Sequence, residues 1–240
     1  MGQEFANRHE AQVPADPEQV WDAVATGPGI SSWFVGRTEI DGETVRTSFG
    51  SDWIPAGTVT AAEPPHRFAY RSDTADDGRF IAYEYLVEGR AGAATVLRTV
   101  TSGFLPGDDW ADEFEAMRYG TELFFHTLTE HLRWFPGRHA TPVTAFGPPV
   151  TDWPGTWRRL HTALGLPPQP RLGDPARSAL IPDGVVTFRN PHALAVRTPD
   201  AVHRFLRGFH GSLVVAHALY SPADPGIWPG FLASLASRDD

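Results

Sequence analysis

Residues 109 to about 135 form the longest periodic segment of the chain, with Trp110, Phe114, Met117, Thr121, Phe124, Leu128 and Leu132 recurring three or four positions apart. That spacing draws one wide apolar stripe along a long helix. Such a helix depends on a second layer, because most helical stability in water comes from packing the apolar face. The preceding residues supply the layer. Short β-branched and aromatic runs at 44–49, 56–62, 67–71, 80–87 and 94–101 alternate with turn signals at Asp41-Gly42, Pro64-Pro65, Asp77-Gly78 and Gly89 to Gly92. This pattern predicts an antiparallel meander, and the fold class is α+β. Gly120 sits inside the helical stripe, where glycine costs about 1 kcal/mol relative to alanine, so a close contact or a bend is expected there.

Ahead of the meander, residues 5–13 read as a strand ended by Pro14. Asp16 then stands at an N-cap, Pro17 at the first helical position and Gln19 where a capping box takes Glu or Gln, which predicts a helix over 17–25. Thr26-Gly27-Pro28-Gly29 stops it, and residues 30–34 form a second short turn or helix ending at Trp33 and Phe34. After the long helix, residues 139–152 are rich in Pro, Gly and Thr and read as a linker between a domain at 1–138 and an extension at 153–240. Within the extension the patterns predict a helix from Trp153 to Leu164 and strands at 184–190 and 192–197. A helix opened by Thr198-Pro199-Asp200 and running to Phe209, an apolar strand at 212–220 and a closing helix at 227–235 complete it. These elements are short and apolar on more than one side, so the extension is expected to pack against the first domain.

Composition removes several chemistries. With 240 residues, 41% hydrophobic and 20% charged, the chain can bury a core. Its 20 basic against 29 acidic residues leave no electrostatic footprint for nucleic acid. Cysteine and lysine are both missing, which excludes thiolate, disulfide and Schiff-base chemistry and leaves arginine as the strong cation. No stretch approaches the roughly 20 apolar residues of a membrane span, and no apolar leader opens the chain. The expectation is a cytoplasmic protein with no membrane or nucleic-acid partner and no cofactor.

The segments Pro14-Ala-Asp-Pro-Glu-Gln-Val-Trp21-Asp-Ala-Val24 and Ile30-Ser-Ser-Trp33-Phe34 carry a resemblance to a known family. So do Gly57-Thr-Val, Pro64-Pro-His-Arg-Phe68, Tyr83-Glu-Tyr-Leu-Val-Glu88, Thr95-Val-Leu-Arg98 running to Thr101-Ser-Gly-Phe104, and Trp110. In their order, residues 5–135 resemble the SRPBCC or START-like superfamily, the helix-grip fold, in the branch related to the activator of the heat-shock chaperone ATPase. The resemblance implies a seven-stranded sheet curled around the long helix, with an apolar cavity between them and the extension added behind. Members bind hydrophobic small molecules, act as polyketide cyclases or aromatases, or assist chaperones, so the fold does not name the chemistry.

Within that cavity the ligand-binding candidates are Trp33, Phe34, Tyr70, Tyr83, Tyr85, Trp110, Phe114, Met117, Thr121 and Phe124. Trp33, Phe34 and Trp110 are placed near its entrance. The tyrosines matter most, because a buried phenol needs a hydrogen-bond partner and can offer one to a ligand. Arg98 either forms an outer cross-strand ion pair with Glu84 or Glu88, or grips a ligand carboxylate from inside. Histidines do not suggest a metal. His126 and His131 are five apart, about 140° around a helix, where a zinc pair uses four. His203, His210 and His217 recur every seven, but across a predicted change from helix to strand. No nucleophile elbow is present. The leading expectation is binding of a hydrophobic small molecule, with a cofactor-free cyclase and a protein-interaction module as alternatives.

Overall fold

The computed structural model describes residues 2–50, 52–90, 94–107, 110–208, 211–222 and 224–236, without the side chains of Asp52, Arg90 and residues 110–113. The chain divides into two compact units, Met1–Ala140 and Thr141–Asp240, each with its own hydrophobic core.

The first unit runs β1 (Gln3–Val13), α1 (Pro17–Ala25), α2 (Gly27–Ser31), β2 (Thr38–Asp41), β3 (Thr44–Phe49), β4 (Asp52–Trp53), β5 (Gly57–Glu63), β6 (Arg67–Ser72), β7 (Phe80–Arg90), β8 (Ala94–Leu105) and α3 (Trp110–Trp134). Its eight-stranded antiparallel sheet has the order β1-β8-β7-β6-β5-β3-β2, with β4 paired to β3. The meander is closed by its distant ends, since β1 pairs with β8 along its whole length, from Gln3 opposite Leu105 to Val13 opposite Thr95. This sheet and its long following helix form the helix-grip arrangement.

Local sequence explains the turn into the sheet. Asp16 Oδ1 accepts from the Gln19 amide at 2.8 Å, and Gln19 Oε1 accepts from the Asp16 amide at 3.0 Å, completing the capping box of α1. Thr26 then both closes α1 and caps α2, its hydroxyl accepting from Gly29 N–H at 3.0 Å. The Gly27-Pro28-Gly29 stretch is therefore the start of α2 as well as the stop of α1. Gly29 is required by close approach, because a Cβ there would lie 2.0 Å from the Asp22 carbonyl oxygen.

The second unit consists of β9 (Thr141–Pro149), α4 (Trp153–Ala163), β10 (Pro175–Ala176), β11 (Gly184–Asn190), β12 (Ala193–Thr198), β13 (Ala201–Arg207), β14 (Ser212–Leu219) and α5 (Ile227–Ala236). Its sheet order is β10-β11-β12-β13-β14-β9. Leu160 and Leu164 with Trp228, Leu232 and Leu235 cover Val143, Val196, Phe205 and Val215.

Two expectations fail in this unit. The predicted linker contains β9, paired with β14 from Thr141 opposite Leu219 onward; its prolines are tolerated because it is the edge strand. The helix expected after Thr198-Pro199-Asp200 is the strand β13, and Pro199-Asp200 is a two-residue hairpin loop between paired Thr198 and Ala201. Every residue from Ala201 to Leu206 is buried, so both faces of this central strand are apolar enough to imitate a helical stripe. Of the three histidines spaced by seven, His210 lies outside the described residues. His203 and His217 meet with ring centroids 4.9 Å apart, and His217 lies 4.2 Å from Trp228. His217 Nδ1 accepts from the Arg204 amide at 3.0 Å.

Removing the Asp16 carboxylate by Asp16→Ala should lower the stability of the first unit by about 1 kcal/mol, read by urea denaturation, with Asp16→Asn retaining most of it. Burial holds His203 down to about 4 and drives His217 well below its ordinary value. Both imidazoles thus take up a proton less readily in the fold than in the unfolded chain. Stability is intact above pH 6.5 and declines as the pH falls toward 4, by about 2 kcal/mol from His203 on reaching pH 5 and further in the same direction from His217. A urea midpoint that stays flat over that interval would contradict this assignment.

Candidate functional site

Alternation along the strands sorts the first sheet into two faces. Phe5, Asn7, His9, Ala11 and Val13 of β1 point the same way, and their ring contacts place that face under α3: Phe5 meets Phe114 at 5.9 Å and His9 stacks on Phe125 at 5.1 Å. Pairing carries the inner face across the sheet in rows. Asn7 lies opposite Thr101, Thr101 opposite Tyr83, Tyr83 opposite Tyr70, and Tyr70 opposite Val59. The adjoining row runs His9, Thr99, Tyr85 and Phe68.

The predicted aromatics largely converge. Tyr70 and Tyr83 stack at 4.9 Å, and Tyr70 and Tyr85 lie 6.5 Å apart. From α2 and the turn after it, Trp33 reaches Tyr85 at 5.9 Å, while Phe34 bridges Tyr83 at 5.8 Å and Phe124 at 5.1 Å. Trp33 is buried, and its indole N–H donates to the Ala23 carbonyl at 2.8 Å. That bond anchors Trp33 in the core, which is not the placement expected of a movable entrance residue. Phe114 packs further along, on Phe5. Met117 and Thr121 lie on the same helix, with the Thr121 hydroxyl donating to the Arg118 carbonyl at 2.9 Å. Trp110 opens α3, and its side chain lies outside the described residues.

Burial divides α3 in two. Leu128 and Leu132 are buried, as is Leu123 beside the stripe. Phe114, Met117, Thr121 and Phe124 are half-buried. The sheet side of this open half is rich in polar groups: Asn7, Thr99 and Thr101 are buried, and His9 is half-buried. None of those four was singled out from the sequence. The signal was present in β1, where Asn7 and His9 share parity with Phe5 and Val13.

Electrostatics fix the state of the phenols. Tyr70 and Tyr85 hydrogen-bond through their hydroxyls, and burial raises all three tyrosines: Tyr83 to about 12, Tyr70 well above its ordinary 10, and Tyr85 upward as well. His9 is held below its ordinary value by burial, partly opposed by Glu122. At neutral pH the interior therefore offers neutral donors and acceptors. Arg98 belongs to the other face, where it pairs with Glu10 and, at 3.2 Å, with Glu88, so it does not grip a ligand from inside. A separate surface cleft of about 340 Å³ lies between α1 and the end of α3, lined by residues that include Asp16, Asp22 and His131. Among the described residues no cluster of three or more His, Asp or Glu could hold a metal, and no helix is long and apolar enough to cross a membrane.

No protein-family model matches the chain, and no curated protein matches it. Among solved structures it is similar to the Aha1 dimer from Colwellia psychrerythraea, at 18% identity over 54% of this chain and 96% of that one, with a TM-score of 0.44. It is also similar to DynU16, from the dynemicin biosynthetic locus, at 19% identity over 96% and 95% of the two chains and a TM-score of 0.45. The di-domain ARO/CYC BexL from the BE-7585A biosynthetic pathway matches at 11% identity over 90% and 85%, with a TM-score of 0.45. At these scores the likenesses add nothing to what the sheet order and the helix already establish.

The raised phenols predict an alkaline titration. Of the five tyrosines, Tyr70, Tyr83 and Tyr85 should stay protonated through pH 10.5, an interval in which an ordinary phenol near pH 10 is already mostly ionised. Absorbance at 295 nm would report it, and ionisation of all five in a single step near pH 10 in folded protein would contradict it.

Proposed function

We propose that the first unit binds a hydrophobic small molecule between the inner face of its sheet and the first half of α3. One observation carries this reading. The apolar stripe of α3 is buried at its carboxy-terminal end and half-buried over Phe114, Met117, Thr121 and Phe124, where Phe114 meets Phe5 and Phe124 meets Phe34, itself against Tyr83. Small-molecule sites combine such apolar walls with a few placed polar groups, and incompletely covered apolar surface is where a guest gains most from leaving water.

The phenols favour binding over the cyclase alternative. A general acid or base works best with its pKa near the working pH, and Tyr83 at about 12 is far from it. Protonated phenols donate hydrogen bonds, which suits recognition of a guest.

The test is a fluorescence titration of the full chain with N-phenyl-1-naphthylamine, a neutral apolar probe. Wild type should bind it, and Phe124→Ala should weaken binding about tenfold, equivalent to about 1.4 kcal/mol. Because Phe124 is half-buried, the same change should cost about 2 kcal/mol of stability, less than the 3–5 kcal/mol of a core phenylalanine. Absence of probe binding to wild type, or unchanged affinity beside a core-sized loss of stability, would overturn the reading.

A further inference from the structure

Two buried polar atoms of β1 face α3 without a partner among the described residues. Asn7 is only 8% exposed, and its Nδ2 is buried without a hydrogen-bond partner among the described residues; the same holds for Nε2 of His9. Both project from β1 toward α3. The ring pairs Phe5 with Phe114 and His9 with Phe125 set α3 along β1 in the same direction, so Asn7, between Phe5 and His9, lies under the helix between Phe114 and Phe125. Gly120 was expected to mark a close contact or a bend. A Cβ built on it would meet only the Phe124 ring, at 3.8 Å. Close packing therefore does not explain a residue that weakens a helix interior. Buried polar atoms in folded proteins are nearly always paired, and an exception calls for an explanation.

We propose that Asn7 and His9 form the polar anchor of the ligand site, taking a neutral carbonyl-bearing apolar molecule whose oxygen accepts from Asn7 Nδ2. The class follows from the surroundings. The helix and sheet rings supply apolar walls, Glu122 acts on His9 from α3, and Arg98 is turned to the other face with its own carboxylate partners. An anionic group would have Glu122 to face, whereas a neutral ketone suits an amide donor. His9 Nε2, on a neutral imidazole, adds a second hydrogen-bonding position, and its stack on Phe125 fixes the ring plane. This inference rests on the binding reading above and adds which polar group the site selects.

The experiment compares two probes on the full chain. N-phenyl-1-naphthylamine lacks a carbonyl; 6-propionyl-2-dimethylaminonaphthalene carries a ketone whose emission reports hydrogen bonding to its oxygen. Asn7→Leu should lower affinity for the ketone probe about tenfold relative to the first probe, the worth of one hydrogen bond to a buried donor, and shift its bound emission to the blue. Asn7→Val, which removes the amide with a smaller apolar side chain, should do the same to the ketone probe. If wild type binds neither probe, the binding reading itself fails. If the first probe binds and the Asn7 variants hold the ketone probe as wild type does, the anchor is refuted while the site stands. Melting of Asn7→Leu below wild type would also refute it, by showing the amide to be structurally paired.

Discussion

A polar atom taken out of water must find a partner, and the inner face of the first sheet is built against that demand. A purely apolar layer of Val, Ile and Leu would close on α3 with no such obligation. Here the layer carries Asn7, His9, Thr99, Thr101 and three tyrosines. Toward α1 and α2 the obligations are met: Thr95 donates to the Ala15 carbonyl at 2.7 Å, Trp33 to Ala23, and Thr38 and Thr47 share a 2.8 Å bond. Toward the first half of α3 they are left open at Asn7 and His9, where the helix side chains are also half-buried. Polar satisfaction and apolar coverage fall away together along one axis, and the proposed site lies at the open end.

Much of the first unit was legible because its signals are local. The capping box at Asp16 and Gln19, the strand runs from Thr44 to Thr101 and the stripe of α3 each express short-range chemistry that the tertiary structure keeps. The aromatic candidates also came together, since Phe34, Tyr70, Tyr83, Tyr85 and Phe124 lie at positions whose parity or helical spacing matches the core. What escaped was the polar part of the interior. Asn7 and His9 resemble surface residues by type, and only the pairing of β1 with β8, a contact between residues about ninety positions apart, turns that side of the strand inward. Arg98 is the converse case, a charge in an apolar run whose orientation follows from its opposite parity to Leu97.

The second unit was harder to read because its central strands are buried on both faces. Ala201 to Leu206 offers apolar residues at helical intervals as readily as at strand intervals, and Pro199-Asp200 serves a hairpin as well as a helix start. The stretch after Ala140 misled for a different reason: proline and glycine mark linkers, but an edge strand tolerates proline, and Val143 and Ala145 supply the inward alternation on one side.

Both units share a topological habit. In each, the strand that comes first in the chain pairs with the last strand of its own sheet, β1 with β8 and β9 with β14. During synthesis neither opening strand can find its neighbour until the rest of its unit has been made, so loop-closure entropy is met before the pairing repays it. Partial chains must therefore carry an unpaired edge: β1 stays open until Leu105 has been added, and β9 until Leu219. A chain interrupted shortly after Thr141 to Pro149 would end in a strand whose partner does not exist, whereas one ending at Ala140 would not. The boundary at which this protein can be divided is thus set by hydrogen bonds to a segment some seventy residues downstream, and the proline-rich composition around it gives no sign of that.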